Sequence, residues 1–155
     1  MPTSHAEQTL MFLLSQVGVH VAFSFNEQLV ELGLHPPHAG ILQLVEREPG
    51  QSQQALARRI GIPPNRLVAL IDDLEERGLI RRDRLPSDRR VFALQITPAG
   101  ERMIERVTEL GAKHEEQLFA ALSEGERETL AALLRRIAEQ QQLEPGVHPA
   151  FRKLR

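Results

Sequence analysis

Residues 51–100 read QSQQALARRIGIPPNRLVALIDDLEERGLIRRDRLPSDRRVFALQITPAG, and this stretch decides the fold. Ser52 is a typical N-cap for a short helix that continues through Ile60, and the following glycine is a typical helix end. Pro64 can open the next helix, which runs to Arg77 with its apolar residues on one face. Two short helices joined by Gly-Ile-Pro have the spacing of a helix-turn-helix.

The segment after these helices changes from a helical to an extended pattern. Leu79–Asp83 and Val91–Ile96 are short extended runs, and the Pro-Ser-Asp between them favours a turn. Residues 81–90 hold five arginines and two aspartates. Such a cluster is often only a solvated surface, but a positively charged hairpin directly after a helix-turn-helix is typical of a wing. We therefore predict a winged helix-turn-helix over residues 35–97.

Long amphipathic helices flank this unit. The first runs from about Ser4 to Leu32, with Ser4 and Glu7 at capping-box spacing, and its apolar stripe lasts over several turns. Thr97 and Ser123 are predicted N-caps of two later helices, which end before Pro145–Gly146. The apolar stripes are too wide for a core of this size to cover, so we expect a two-fold partner.

The predicted fold class is therefore mainly α with a small β-hairpin. Residues 1–34 and 98–145 are predicted to form a dimerisation region around the winged helix, and residues 146–155 to form a flexible tail.

Composition excludes several classes of function. The chain has 155 residues, a net charge of −2 and no cysteine, tryptophan or tyrosine. Disulfides, thiolate metal sites and aromatic platforms for single strands are therefore not expected. No apolar run approaches the roughly 18 residues of a membrane span, and no secretory signal is visible, so we expect a cytoplasmic chain without a membrane partner. No glycine-rich phosphate loop, serine elbow or zinc motif indicates an enzyme or a cofactor.

Charge is distributed unevenly along the chain. The segment from Gln51 to Thr97 contains nine arginines and six acidic residues, a net charge of +3, which leaves −5 for the rest of the chain. A basic centre between acidic flanks is typical of a chain that binds nucleic acid through its central segment.

The second helix of the helix-turn-helix carries side chains that can read bases. Asn65 can pair with adenine and Arg66 with guanine, while Val68 and Ala69 can touch thymine methyl groups. The alternative is that Asn65 only caps the helix and Arg66 is solvated. Asp72 and Asp73 repel phosphate, so we expect groove contact within the first two turns.

The motifs SQQALARRIGIPPNRLVALIDDLEERGLIRR (52–82) and SDRRVFALQITPAG (87–100) resemble the MarR (multiple-antibiotic-resistance regulator) family of winged-helix transcription factors. The resemblance implies a homodimer that grips a pseudo-palindromic operator in double-stranded DNA, with the helix from Pro64 in the major groove. It also implies that Arg90 enters the minor groove. Asp88 lies two residues earlier, and on an extended strand its carboxylate can orient the Arg90 guanidinium. Ala69 departs from relatives that carry a basic residue there. The predicted DNA contacts are Ser52, Gln53, Gln54, Pro64, Asn65, Arg66, Val68, Ala69, Arg84, Asp88, Arg89 and Arg90.

The resemblance further implies a repressor released by a small, often aromatic or phenolic, inducer. The candidate ligand contacts are Val17, His20, Val21, His35, His38 and Leu42. His35, His38 and His114 lack the paired spacing of metal ligands, so no metal site is predicted, and a buried, hydrogen-bonded His114 at the dimer core is favoured. The alternative function is a winged-helix protein-interaction module that binds no DNA.

Overall fold

The computed structural model describes residues 9–153, with side chains for residues 9–151. Within them the chain forms six α-helices and one two-stranded hairpin, which confirms the predicted fold class. The elements, in order, are α1 (Leu10–Glu31), α2 (Pro36–Arg47), α3 (Gln53–Ile60), α4 (Pro64–Glu76), β1 (Ile80–Arg84), β2 (Phe92–Ile96), α5 (Pro98–Leu118), α6 (Glu124–Gln140) and a terminal 3₁₀ helix (Pro149–Lys153).

Local side-chain caps set the helix starts. Ser52 Oγ accepts from the Ala55 N–H at 3.0 Å, and Thr97 Oγ1 accepts from the Gly100 N–H at 3.0 Å. Ser123 and Glu126 form a complete capping box. These three predicted caps are confirmed. The predicted Ser4–Glu7 box lies outside the described residues; the described α1 begins at Leu10, capped by Thr9.

The core lies inside the winged helix. Leu42 from α2, Leu56 from α3, Leu67 and Ile71 from α4 and Leu94 from β2 are all fully buried. Leu29 of α1 and Ile104 and Val107 of α5 join the same cluster, so the flanking helices and the winged helix share one continuous core.

The hairpin is antiparallel and pairs Ile80 with Ile96 at its base and Arg84 with Phe92 at its tip. A bridge between Ser52 and Ala93 ties β2 to the start of α3. At Gly100 an added Cβ would lie 2.1 Å from the Leu79 carbonyl oxygen, so only glycine lets the first turn of α5 pack on the base of the hairpin. The wing, residues 80–96, is thereby held at fixed positions on two helices.

Helices α1 and α6 bury little of their apolar surface. Leu29 is the buried residue of α1, and α6 buries none. Leu10 and Met11 remain 77% and 81% exposed, and Leu133, Leu134 and Ile137 of α6 are 38–47% exposed. The described chain thus carries a broad apolar face on these two helices.

The C-terminal segment is predicted to be a flexible tail, but the structure packs part of it against the core. The expectation for residues 146–155 was a loose tail, but Phe151 is only 5% exposed and belongs to the core. Its ring lies against Gly40 of α2, where an added Cβ would be 2.8 Å from the ring. A single aromatic residue among proline and glycine has no periodic pattern, and for that reason the sequence did not reveal its docking.

Candidate nucleic-acid interface

The first two turns of α4 present the predicted base-reading residues to solvent. The buried face of α4 packs into the core through Leu67, Ile71 and Leu74. The opposite side leaves five predicted residues exposed, namely Pro64, Asn65, Arg66, Val68 and Ala69. Because the helix is held by its apolar side, these side chains stand together on one free surface.

A depression of ≈ 830 Å³ lies between α3 and α4 and is lined by Gln54, Arg58, Asn65 and Arg66. Neither the Arg58 nor the Arg66 side chain makes a hydrogen bond or ion pair with any other described residue. The predicted contact set missed Arg58. Its position four residues after Gln54 could have identified it, because residues at this spacing share a helix face.

Of the three DNA contacts predicted at the start of α3, two have side chains that are engaged within the protein and one is exposed. Ser52 is occupied as the N-cap of α3, and Gln53 Oε1 accepts from Arg82 Nε at 2.9 Å. Gln54 is exposed at the depression. Of this group, Gln54 is therefore the side chain that the fold leaves available.

Arg82 on β1 is the structural centre of the winged helix. Its guanidinium donates to Asp72 Oδ1 at 2.5 Å, to Glu75 Oε2 and to Gln53, and its side chain is 14% exposed. One arginine thus ties the wing to both helices of the helix-turn-helix. It also compensates two carboxylates of α4, so the expected repulsion of phosphate by Asp72 is offset.

The wing tip differs from the predicted extended geometry. Residues 85–91 form a loop between the strands, and Asp88 Oδ1 accepts from the Arg90 backbone N–H at 3.0 Å. The expected contact between the Asp88 carboxylate and the Arg90 guanidinium is therefore wrong. An aspartate that bonds the backbone two residues on forms an Asx turn, which sets the direction of the chain.

The wing arginines have different roles. Arg84 lies over the Phe92 ring at 5.0 Å and donates to the Arg89 carbonyl oxygen at 2.5 Å, and Arg81 pairs with Asp83 at 3.1 Å. Arg89 and Arg90 are exposed, and their side chains make no hydrogen bond or ion pair with the other residues described. The tip therefore presents two free guanidinium groups on a loop that Arg84 and Asp88 brace.

The predicted ligand contacts do not converge. Val17 and Val21 line a groove of ≈ 910 Å³ between α1 and α6, while His20 is exposed on α1. Leu42 is fully buried in the core. His35 and His38 lie apart from the groove, with their ring centroids 6.0 Å from each other.

His38 connects the start of α2 to α4. Its Nε2 lies 3.1 Å from Asp73 Oδ2, and its side chain is 12% exposed. Burial lowers the pKa of His38 below 6.5, with smaller contributions from His35 and Arg77, and Asp73 acts in the opposite direction. A neutral ring donates from Nε2 to Asp73, and Arg77 donates to the Gly33 carbonyl at 2.8 Å nearby. The first contact joins α2 to α4, and the second joins the residue after α4 to the turn between α1 and α2.

His114 is buried and hydrogen-bonded, as predicted, but its partners belong to α1 of the same chain. Its Nε2 lies 3.1 Å from Ser24 Oγ and its Nδ1 lies 3.0 Å from Gln28 Nε2. The three histidines considered as metal ligands are thus split between the α1–α5 contact and the start of α2.

Comparison with known proteins agrees with this geometry. Residues 32–91 match the pattern that defines the MarR family. A Thauera aromatica protein named for transcriptional regulation of the hcr operon is 37% identical over 114 residues, which span 74% of this chain and 69% of that protein.

Solved structures show the same fold. The transcriptional repressor CouR bound to a 23-mer DNA duplex superposes with a TM-score of 0.77 and 32% identity, covering 89% of this chain and 99% of that one. CouR from Rhodococcus jostii RHA1 bound to p-coumaroyl-CoA gives a TM-score of 0.71 and 30% identity over 88% and 96% of the two chains.

Among the helices of residues 9–153, none is long and apolar enough to cross a membrane. The Thauera aromatica relative is named as a transcriptional regulatory protein and CouR as a transcriptional repressor. The winged helix with its braced arginine tip, the order of the flanking helices and these likenesses lead to one conclusion: the chain belongs to the MarR family of transcriptional regulators.

Proposed function

We propose that the chain is a homodimeric repressor that binds a pseudo-palindromic operator and releases it when a small aromatic ligand binds. The observation that carries the proposal is a set of four exposed guanidinium groups on one winged helix, at Arg58, Arg66, Arg89 and Arg90, which make no hydrogen bond or ion pair within the described part of the chain. The DNA-bound CouR structure supports the same use of this fold.

Base readout is assigned to the start of α4. Asn65 and Arg66 are exposed and stand beside the free Gln54 and Arg58 of α3. Asparagine and arginine can form paired hydrogen bonds with adenine and guanine in the major groove. Arg89 and Arg90 then approach the minor groove or its phosphates, where the negative potential is concentrated.

The dimer is proposed from the apolar face of α1 and α6. Leu10, Leu14 and Val17 of α1 and Leu133 and Ile137 of α6 line one groove and stay 42–77% exposed. A second copy related by a two-fold axis would cover this face and place the two winged helices about one turn of DNA apart, roughly 34–36 Å. Light scattering at micromolar concentration tests it: a dimer is expected, and Leu133→Lys should raise the monomer fraction. A wild-type monomer would contradict the proposal.

The ligand class is proposed from the relatives and from a cleft of ≈ 650 Å³. CouR binds p-coumaroyl-CoA. In this chain the cleft lies between α1, the start of α2 and the C-terminal segment. Its lining includes apolar Val19, Phe23 and Pro36 and polar Ser15, Asn26 and His148. Apolar and aromatic walls suit an aromatic acyl group, so we assign an aromatic acid or its CoA thioester as inducer.

Duplex selection from a random-sequence library tests DNA binding. Enriched duplexes should share a pseudo-palindrome, and their affinity should fall steeply as salt rises from 50 to 200 mM because bound counterions are released. Absence of duplex binding at low salt would favour the protein-interaction module instead.

A separate measurement tests the inducer. p-Coumaroyl-CoA should raise the melting temperature and release the selected duplex, whereas CoA alone serves as the control for the nucleotide part. If neither p-coumarate nor its thioester shifts melting or releases DNA, the assigned ligand class is wrong.

A further inference from the structure

The chain does not end with α6 but returns across the winged helix. We define residues 143–151 as the C-terminal strap. Its backbone is ordered by its own hydrogen bonds, from Val147 N–H to the Glu144 carbonyl and from Phe151 N–H to the His148 carbonyl, both at 3.1 Å. These two local bonds define turns within the docked strap.

The strap contacts both α2 and α3 of the winged helix. Glu144 Oε1 lies 3.5 Å from Arg59 Nε on α3, and Arg59 also holds Glu48 at 2.6 Å. At Gly146 an added Cβ would lie 2.6 Å from the Arg47 guanidinium, so the strap backbone packs against the side chain of the last residue of α2. Val147 packs against the core.

Phe151 is the principal anchor. It is 5% exposed, and its ring fills the space above Gly40 that a methyl group would occupy. Gly40 lies inside α2, where alanine is intrinsically more stable than glycine. The contact with Phe151 is thus the structural reason for glycine at this position.

The strap also borders the dimerisation side of the molecule. His148 and Ala150 line the ≈ 650 Å³ cleft together with Gly18 and Phe23 of α1. The same short segment therefore continues from α6, borders α1 and is anchored on α2 and α3. It is therefore a direct connection between α6 and the winged helix.

We propose that the C-terminal strap couples the α1–α6 region to the winged helix. Docked, it holds α2 and α3 in the orientation that binds DNA; undocked, it leaves them free to swing and lowers operator affinity. This inference rests on the proposed function, because it concerns the orientation in which two winged helices meet one duplex.

Gly40→Ala and Phe151→Ala test the strap from its two sides. Each alone should lower the melting temperature and weaken binding to the selected duplex by roughly 5-fold or more, a usual size for coupling between sites. In the double variant the methyl group has space, so Gly40→Ala should raise the melting temperature of Phe151→Ala. Its affinity should equal that of Phe151→Ala and not the product of both losses.

Two further variants complete the design. Gly125→Ala on α6, where an added Cβ meets nothing within 4 Å, should leave melting and affinity unharmed. Glu144→Gln removes only the charge that pairs with Arg59, so it should fold and should lower the affinity less than Phe151→Ala. It serves as the test if Phe151→Ala does not fold. In Gly40→Ala and in Phe151→Ala, the backbone amides at positions 147 and 151 should exchange hydrogen faster than in the wild type.

The outcomes separate this inference from the proposed function. If the wild type binds duplexes but the anchor variants bind as tightly, the coupling is wrong and the strap only adds stability. Losses that multiply in the double variant would also overturn it. If the wild type binds no duplex, the proposed function itself fails, while the sign of the Gly40→Ala effect on melting still decides whether Phe151 docks there.

Discussion

Arg82 Nη2 lies 2.5 Å from Asp72 Oδ1, and this contact joins the first strand of the wing to α4, the second helix of the helix-turn-helix. The same guanidinium reaches Glu75 and Gln53. One side chain therefore links the wing to both helices of the helix-turn-helix.

Arg82→Ala should lower the free energy of unfolding by roughly 1.5–3 kcal/mol, the usual range for hydrogen bonds to charged groups. It should also weaken duplex binding, because the wing loses its fixed position. Arg81→Ala is the matched control, since Arg81 and Asp83 form an exposed pair worth about 0–1 kcal/mol. Urea unfolding measures both. If the two variants lost equal amounts of unfolding free energy, Arg82 would not be a structural centre of the winged helix.

Asp88→Asn and Asp88→Ala distinguish two roles for this residue. Because Asp88 Oδ1 accepts the Arg90 backbone N–H, asparagine should retain the turn and near-normal affinity for DNA, whereas alanine should lose it. Fluorescence anisotropy with the selected duplex gives the affinities. A loss as large for asparagine as for alanine would point to the carboxylate charge instead.

Arg90→Ala should weaken duplex binding strongly while the melting temperature stays at the wild-type value, because its exposed side chain makes no hydrogen bond or ion pair with another described residue. Loss of one phosphate contact should reduce the slope of log affinity against log salt by about 1. Unchanged affinity would remove Arg90 from the interface.

Arg66→Ala should relax base preference by about 1–3 kcal/mol at one position of each half-site. Repeating the duplex selection with the variant measures this directly, and Arg58→Ala provides the comparison from α3. A uniform loss over all sequences would make Arg66 a phosphate contact and not a base reader.

Acid should destabilise the protein through His38. Its pKa is lower in the folded chain than the ordinary 6.5, because burial disfavours the charged ring. The unfolded chain thus binds the proton more tightly than the folded chain. The contribution of neutral His38 to the free energy of unfolding is therefore complete above about pH 6.5 and is lost as the pH falls below that value. His38→Gln should reduce the difference in unfolding free energy between pH 7.5 and 5.5.

Asp73→Asn should have the opposite effect on this difference. Asp73 raises the pKa of His38, so removing its charge lowers that pKa further and enlarges the loss of stability on acidification. If His38→Gln leaves the wild-type difference unchanged, another group causes the acid sensitivity.

Short-range patterns predicted most of the fold. Ser52, Thr97 and Ser123 cap their helices through residues three positions away, and the hairpin strands lie within one residue of their predicted bounds. The exposed set at the start of α4 followed from the apolar residues on its back. Each of these inferences depends on chemistry within one or two turns of chain.

The candidate site was predicted less completely. Arg84, Arg89 and Arg90 were all predicted to contact DNA, yet Arg84 is engaged within the wing, whereas the Arg89 and Arg90 side chains make no hydrogen bond or ion pair with another described residue. Gln53 was expected to contact DNA but holds Arg82, from which it is separated by 29 positions. No local pattern reports such a pairing.

By itself, the order of residues determined the helices, the hairpin and the basic centre, since periodicity, caps and turns act between neighbours in the chain. Only the tertiary structure decided which guanidinium groups are free and where Phe151 lies. Those outcomes depend on which distant side chains the shared core brings within hydrogen-bonding or van der Waals distance, and on the room that Gly40 leaves for an aromatic ring.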